Sequence, residues 1–290
     1  MSLPGSTSTP VAPCPRRLLL LGHPVAHSLS PRFQNAALEA AGLASRYVAL
    51  DVLPSDLTGA VATVRENGLG GNVTIPHKAA FVPYCDQLTP LAERTGAVNT
   101  FWIDAQHKLV GDNTDVGGFN ALVRHVLGNV PNDFHVAVLG AGGAAAAVCA
   151  ATERWRGATV SVWGRTADRA RSLAARFPHV TVAATATAAL RDAQLIVNAT
   201  PIGMGLGSEA MPISPDAVPA GTVVIDLVYR RAETPFVRAV SARGVRAVDG
   251  LIMLIEQGAL AFERWFGFSP DRELMRRVVA GVVPVQPASA

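Results

Sequence analysis

The chain has 290 residues, more than one ordinary hydrophobic core requires, so two modest domains are expected. Hydrophobic residues make up 49% and charged residues 16%, a globular balance that excludes a disordered or fibrous protein. The net charge of +3 rests on arginines scattered along the chain, with no basic stripe or nucleic-acid-binding module, so a small anionic ligand fits better than nucleic acid.

Residues 1–15 are rich in Ser, Thr, Pro and Gly and read as a loose leader outside the fold. Arg16-Arg17 with Leu18 to Leu21 superficially resembles a signal peptide, but the apolar run is too short and soon meets Gly22, His23 and Pro24. It reads as a first strand, Arg17 to Gly22. A helix from Pro31 to Ala41 follows, capped by Ser30, with Gly42 just past its end. Tyr47 to Val52 and Gly70 to Ile75 read as strands, and Pro76 as the opening of another helix. Gly118 to Leu127 is a connecting helix, followed by strands Phe134 to Leu139, Thr159 to Trp163, Val180 to Ala183, Leu195 to Asn198, Thr222 to Leu227 and Val245 to Val248. Helices Leu251 to Phe266 and Pro270 to Ala280 close the chain with no strand to follow, so they are expected to fold back on the first domain. Such alternation predicts βαβ units, parallel sheets and an α/β fold. The uncharged stretch Phe134 to Thr152 could nearly span a bilayer, but Gly140, Gly142 and Gly143 break it, and a membrane segment is rejected. Cys14, Cys85 and Cys149 are odd in number and far apart, which fits neither a disulfide framework nor a zinc site and points to a reducing, cytoplasmic compartment.

Strand Phe134 to Leu139 runs into Gly140-Ala141-Gly142-Gly143-Ala144-Ala145 and a helix, the G-x-G-x-x-G/A pattern in its required context. Gly140 permits the tight turn, Gly142 lets backbone approach a pyrophosphate, and Ala145 allows close helix–sheet packing. A Gly/Ala packing corner is the plainer alternative. After the second strand, an NAD site normally offers a carboxylate to the ribose, whereas here stand Arg165, Thr166 and Arg169. Two guanidinium forks and a hydroxyl suit the 2′-phosphate of NADP. Asp168 falls inside the next helix's first turn, where it suits the macrodipole.

Three polar clusters precede this loop. Ser28 and Ser30 alternate, so both hydroxyls can donate to one carboxylate, although Ser30 alone also reads as a helix cap. The second cluster runs from Asn72 to Lys78 and the third from Gly111 to Asp115. Lys78 and Lys108 are the chain's two lysines, and a lysine in a half-buried turn can exchange a proton where an arginine cannot. Asp115 is the candidate carboxylate to orient it. Taken singly, Lys78 is a surface cation and Asp115 a turn residue.

Together these clusters, with Gly22 to Pro31, Gly96 to Thr100, Asn198-Ala199-Thr200, Asp249-Gly250 and Met253-Leu254, make the chain resemble the shikimate dehydrogenase family over residues 16 to 280. The resemblance implies a substrate-binding domain of residues 16–116 with 251–290 and a Rossmann-like, doubly wound NADP-binding domain of residues 117–250. It implies that Lys78 and Asp115 are the catalytic pair, that Ser28 and Ser30 bind the substrate carboxylate, and that Asn72, Thr74, Asn99, Tyr229 and Gln257 complete the substrate site. Gly140 to Ala144, Arg165, Thr166, Arg169, Thr200, Gly250 and Met253 would contact NADP. The implied reaction reduces the C3 ketone of 3-dehydroshikimate to shikimate, a step of chorismate and aromatic amino acid biosynthesis. Lys78 would supply the proton or hold a relaying water, and no metal is called for, because a positioned ammonium stabilises the growing negative charge. Gly164 departs from the family's Asn-Arg-Thr and removes one adenosine-side contact. Rival readings are a quinate/shikimate dehydrogenase, which the small Ser30 disfavours, and a nucleotide-sensing relative without turnover, which Lys78 and Asp115 together disfavour. A second copy of the chain, as a homodimer, is the one macromolecular partner entertained.

Overall fold

The alternating apolar runs become two separate six-stranded sheets in the computed structural model, which describes residues 15, 17–130, 132–205, 207–230 and 232–281. The leader, apart from Pro15, and with it Cys14, lies outside the described residues, as does Arg16.

The first sheet contains β1 (Arg17–Gly22), β2 (Arg46–Asp51), β3 (Gly70–Val73), β4 (Gln87–Leu88), β5 (Thr100–Ile103) and β6 (Leu109–Asp112), in the order β2-β1-β3-β5-β6-β4. β1 pairs in parallel with β2 and β3, but β5 runs antiparallel to both β3 and β6. The expected parallel pairing holds for β1, β2 and β3 and for β4 with β6, but not for β5. Asp104–Lys108 is a hairpin connection, far shorter than the crossover a parallel pair requires. On edge strand β2, Asn35 satisfies one residue: it donates to Tyr47 O at 2.8 Å and accepts Tyr47 N–H at 2.9 Å.

The second sheet is wholly parallel: β7 (His135–Leu139), β8 (Thr159–Trp163), β9 (Val180–Val182), β10 (Leu195–Asn198), β11 (Val223–Asp226) and β12 (Arg246–Asp249) lie in the order β12-β11-β10-β7-β8-β9. This is the doubly wound order, reversing between β7 and β10, and the crevice at such a reversal is where ligands bind. Alternation along β7 sends Val136 and Val138 into one core layer and Ala137 and Leu139 into the other, as burial on both faces demands.

The helices are α1 (Ser30–Ala40), α2 (Leu57–Glu66), α3 (Pro90–Thr95), α4 (Asp115–Leu127), α5 (Gly143–Thr152), α6 (Ala167–Ala174), α7 (Ala186–Ala189), α8 (Pro235–Ser241), α9 (Leu251–Phe266) and α10 (Arg272–Val279). Four expectations are corrected. Ser30 does not cap α1 but begins it, and Ser28 Oγ accepts the Ser30 N–H at 3.2 Å. Pro76 opens no α-helix, because the Lys78 carbonyl that would serve the next turn accepts Val98 N–H at 2.8 Å instead. α4 starts at Asp115 rather than Gly118, with the carboxylate in the first turn, where the helix dipole favours it. The last helix starts at Arg272, capped by the Asp271 side chain through Leu274 N–H at 2.9 Å.

α9 and α10 do return to the first sheet: Leu254, Phe262, Trp265 and Met275 share one core cluster with Leu18, Leu20, Phe33 and Leu38. Trp265 Nε1 donates to Phe101 O at 3.2 Å, so the closing helix is pinned to β5 as well as packed. Among the described residues no helix is long and apolar enough to cross a membrane.

Candidate active site

The antiparallel ladder is what assembles the polar clusters. Asn72 of β3 lies opposite Thr100 of β5, and Thr100 lies opposite Asp112 of β6, so three motifs distant in sequence end side by side. Val98 N–H donates to Lys78 O at 2.8 Å and Asn99 N–H to Asp112 O at 3.0 Å, stitching the loops beyond the strands. Lys78 Nζ consequently meets Asp115 Oδ2 at 2.5 Å, with the two side chains 17% and 5% exposed. So low an exposure makes this pair part of the site rather than a solvated surface contact.

Asn99 orients the carboxylate from the other side. Its Nδ2 donates to Asp115 Oδ1 at 2.8 Å and reaches Gln257 Oε1 at 3.2 Å. Its Oδ1 accepts Thr114 N–H at 2.7 Å and the Thr100 hydroxyl at 3.0 Å, which fixes which way the amide faces. Gln257 comes from α9, and that helix can approach because Gly118 has no Cβ: one added there would lie 2.8 Å from Gln257 Cβ and 2.9 Å from Met253 O.

Ser28 and Ser30 stand at the start of α1 with two tyrosines against them. Burial pushes the Tyr229 hydroxyl up, and the Ser28 hydroxyl beside it pulls it partly back. Burial raises Tyr47 likewise, with Tyr229 adding to the rise and Ser30 opposing it. Thr74 is half-buried at the end of β3, and its methyl occupies the space a side chain at Gly22 would need, 2.3 Å from the added Cβ. Asn72 is turned inward: it accepts from Tyr47 Oη at 2.8 Å and donates to Asn99 O and Thr100 Oγ1, both at 3.0 Å. Its amide is spent on the protein and holds the site's floor.

The glycine loop fits a dinucleotide pyrophosphate. Gly140 has φ +119 and its N–H donates to Trp163 O at 2.7 Å, which turns the chain from β7 into α5. Gly142, the N-cap of α5, supplies no side-chain cap, and an added Cβ there would meet nothing within 4 Å, so the helix amides open onto free space. Ala141 and Ala144 flank it half-buried. A Cβ on Gly143 would lie 3.2 Å from both Lys78 Cβ and Cδ, which sets the loop directly against the lysine. Arg165, Thr166 and Arg169 are exposed around the start of α6, and among the described residues neither arginine has an ion-pair partner, since Asp168 pairs with Arg171 at 2.5 Å. Gly250 N–H donates to Val228 O at 3.0 Å, and Met253 is buried in the next turn. Thr200 is drawn inward, its N–H and hydroxyl both donating to Asn198 Oδ1 at 3.0 and 2.7 Å.

Two family profiles match, the shikimate dehydrogenase substrate binding domain over residues 20–101 and the shikimate 5′-dehydrogenase C-terminal domain over residues 250–280. A shikimate dehydrogenase (NADP(+)) of Shouchella clausii is 40% identical over 270 residues, covering 91% of this chain and 98% of the relative. The chain belongs to the shikimate dehydrogenase family. Among solved structures, the shikimate 5-dehydrogenase of Thermus thermophilus in complex with NADP(H) and shikimate has a TM-score of 0.81 at 39% identity, covering 92% and 99% of the two chains. The quinate dehydrogenase of Corynebacterium glutamicum in complex with NAD has the same TM-score at 30% identity, over 92% and 99%.

Within this shikimate dehydrogenase family fold, the first profile spans Ser28, Ser30, Asn72, Thr74, Lys78 and Asn99, and the second Gly250, Met253 and Gln257. Asp115 and the glycine loop lie between them. Sequence reading missed Tyr47, Thr114 and the buried carboxylate Asp226, which accepts from Asn198 Nδ2 at 2.7 Å and Thr234 Oγ1 at 2.6 Å beneath Thr200. Burial raises the Asp226 carboxyl against those hydrogen bonds. No local pattern marks these residues, since each gains its place through a partner far away in sequence. At Gly164, an added Cβ would come within 3.2 Å of the Ala141 methyl, so the departure from asparagine leaves the glycine loop uncrowded.

Proposed function

We infer that this protein is a shikimate dehydrogenase, reversibly reducing 3-dehydroshikimate to shikimate with NADPH. The observation that carries the reading is a Lys78–Asp115 pair, 2.5 Å apart, with Asp115 buried and Lys78 half-buried, packed against Gly143 of a dinucleotide loop. Bound NADPH would supply the hydride. Lys78 donates the proton to the oxygen that becomes the C3 hydroxyl, directly or through a water it holds, and its positive charge stabilises the alkoxide as it develops. Asp115 keeps the ammonium in place and accepts from the neighbouring hydroxyl. Asn99 and Gln257 bind ring hydroxyls, and Ser28, Ser30 and Tyr229 hold the carboxylate beside the first turn of α1. Arg165, Thr166 and Arg169 hold the 2′-phosphate, and residues 140–144 the pyrophosphate. Residues 16–116 with 251–290 act as the substrate domain and 117–250 as the cofactor domain.

Nicotinamide absorbance should report turnover with shikimate and NADP+, and markedly slower turnover with quinate or with NAD+. Equal or faster turnover of quinate would assign the site to the quinate-using branch, and no turnover of either acid would refute a dehydrogenase. We also propose a cytoplasmic homodimer; light scattering on the purified protein tests the dimer, and a monomeric mass refutes it.

A further inference from the structure

One set of contacts between the two halves of the molecule lies outside the site. Arg94, near the end of α3, places its guanidinium on Glu153 at the far end of α5, with Nε to Oε2 at 2.9 Å and a second, shorter bond from Nη2 to Oε1. The same guanidinium lies 4.5 Å above the ring of Phe177, which is fully buried. From the segment before that ring, Arg176 reaches back across the junction. Its Nη2 donates to Glu93 O at 2.7 Å, which also takes the Gly96 N–H at 3.3 Å, and to Arg94 O at 3.1 Å at the open end of α3. A Cβ on Gly96 would lie 2.6 Å from Arg176 Nη1 and would displace that guanidinium, while φ +62 independently favours glycine there.

The chain runs straight from this junction into the site. Gly96 leads to Ala97, Val98 and Asn99; Val98 is bonded to Lys78 O, and Lys78 and Ala97 together contact Gly143. α5 thus carries Glu153 at one end and the glycine loop at the other, separated by a ten-residue helix, a rigid spacer of about 15 Å. Arg94 also holds the Glu153 carboxyl below its ordinary range, so the pair is ionised at neutral pH.

We propose that Arg94, Glu153 and Arg176 are positioning residues: they clasp α3 to α5 and thereby set the separation between Lys78 and the cofactor loop. The clasp touches neither substrate nor cofactor. Arg94 and Glu153 are 37% and 34% exposed, and pairs so open to water add little to stability, so its value is geometric. A misplacement of about 1 Å between reacting groups can cost on the order of 100-fold in rate.

The turnover arm of the test rests on the dehydrogenase reading, whereas the exchange arm does not. R94E, E153R, R176A and the reversed pair R94E/E153R are compared with wild type. Each single variant should lower kcat with shikimate by roughly 10- to 100-fold. The reversed pair should recover part of that loss, since it restores the ion pair but not the guanidinium over Phe177. In parallel, hydrogen–deuterium exchange at the amides of 96–99 and 143–146 should accelerate in the single variants and slow again in the reversed pair. Single variants with wild-type exchange in both segments, or a reversed pair no better than its parents, would overturn the clasp. Wild type inactive on shikimate but with the predicted exchange pattern would instead overturn the functional reading and leave the clasp standing.

Discussion

Lys78 is conspicuous in a chain that carries nearly all its positive charge on arginine, and the structure gives it a carboxylate, an amide-oriented neighbour and a glycine loop within reach. Lys78→Ala should reduce kcat by roughly 10²- to 10⁴-fold, the range for losing an acid/base group, as steady-state rates would reveal; an unchanged kcat removes Lys78 from the mechanism. Arg165→Ala should weaken NADPH binding while leaving NADH use nearly unchanged, because only NADPH carries the 2′-phosphate. Titrations of both cofactors check this, and equal losses would rule out the contact. Residue chemistry of this kind was readable in advance because ionisation, donor geometry and side-chain size travel with the residue. What could not be read was how each group is held before a ligand arrives: Asn72, Asn99 and Thr200 all bond other parts of the protein.

At the level of elements, β10, α9 and the second sheet's remaining strands follow their sequence signals closely, since a buried parallel strand announces itself as a short, unbroken apolar run. β5 and β6 did not, because their polar ends and hairpin connection resemble a loop. The helix contact between α4 and α9 depends on Gly118, so Gly118→Ala should force them apart. A loss of about 1–3 kcal/mol in stability is expected by urea denaturation, with a raised KM for shikimate as Gln257 moves from Asn99. Another clip joins α2 to the strand region: Arg65 bonds Asp86 at 2.7 Å and, with Leu109 N–H, holds its carboxyl down to about 2. A depressed carboxyl contributes stability above its ordinary value of 3.8 and loses it as pH falls through about 2. Asp86→Asn should therefore cost roughly 0.5–1 kcal/mol at pH 7, with the difference from wild type closing between about pH 4 and 2 in urea melts.

For the whole molecule, the consequence is a candidate site assembled from loops of both sheets, with the closing helix α9 packed into core clusters of both. Cofactor and substrate should therefore each raise the melting temperature, and the two together more than either alone. NADP+ at one hundred times its dissociation constant should add about 2.7 kcal/mol, measurable by calorimetry. An absence of any shift with NADP+ would argue against the loop as its site. Sequence alone determined the doubly wound half, the glycine turn, the return of the last helices and the cationic edge, because each follows from periodicity or from the chemistry of neighbouring residues. Tertiary structure alone decided the antiparallel ladder, the inward turn of Asn72, the 2.5 Å contact that joins the expected Lys78 and Asp115 pair, and the clasp from Arg94 to Glu153. The physical reason is that such contacts depend on which strands pair and how closely helices approach, and neither is a property of any short stretch of chain.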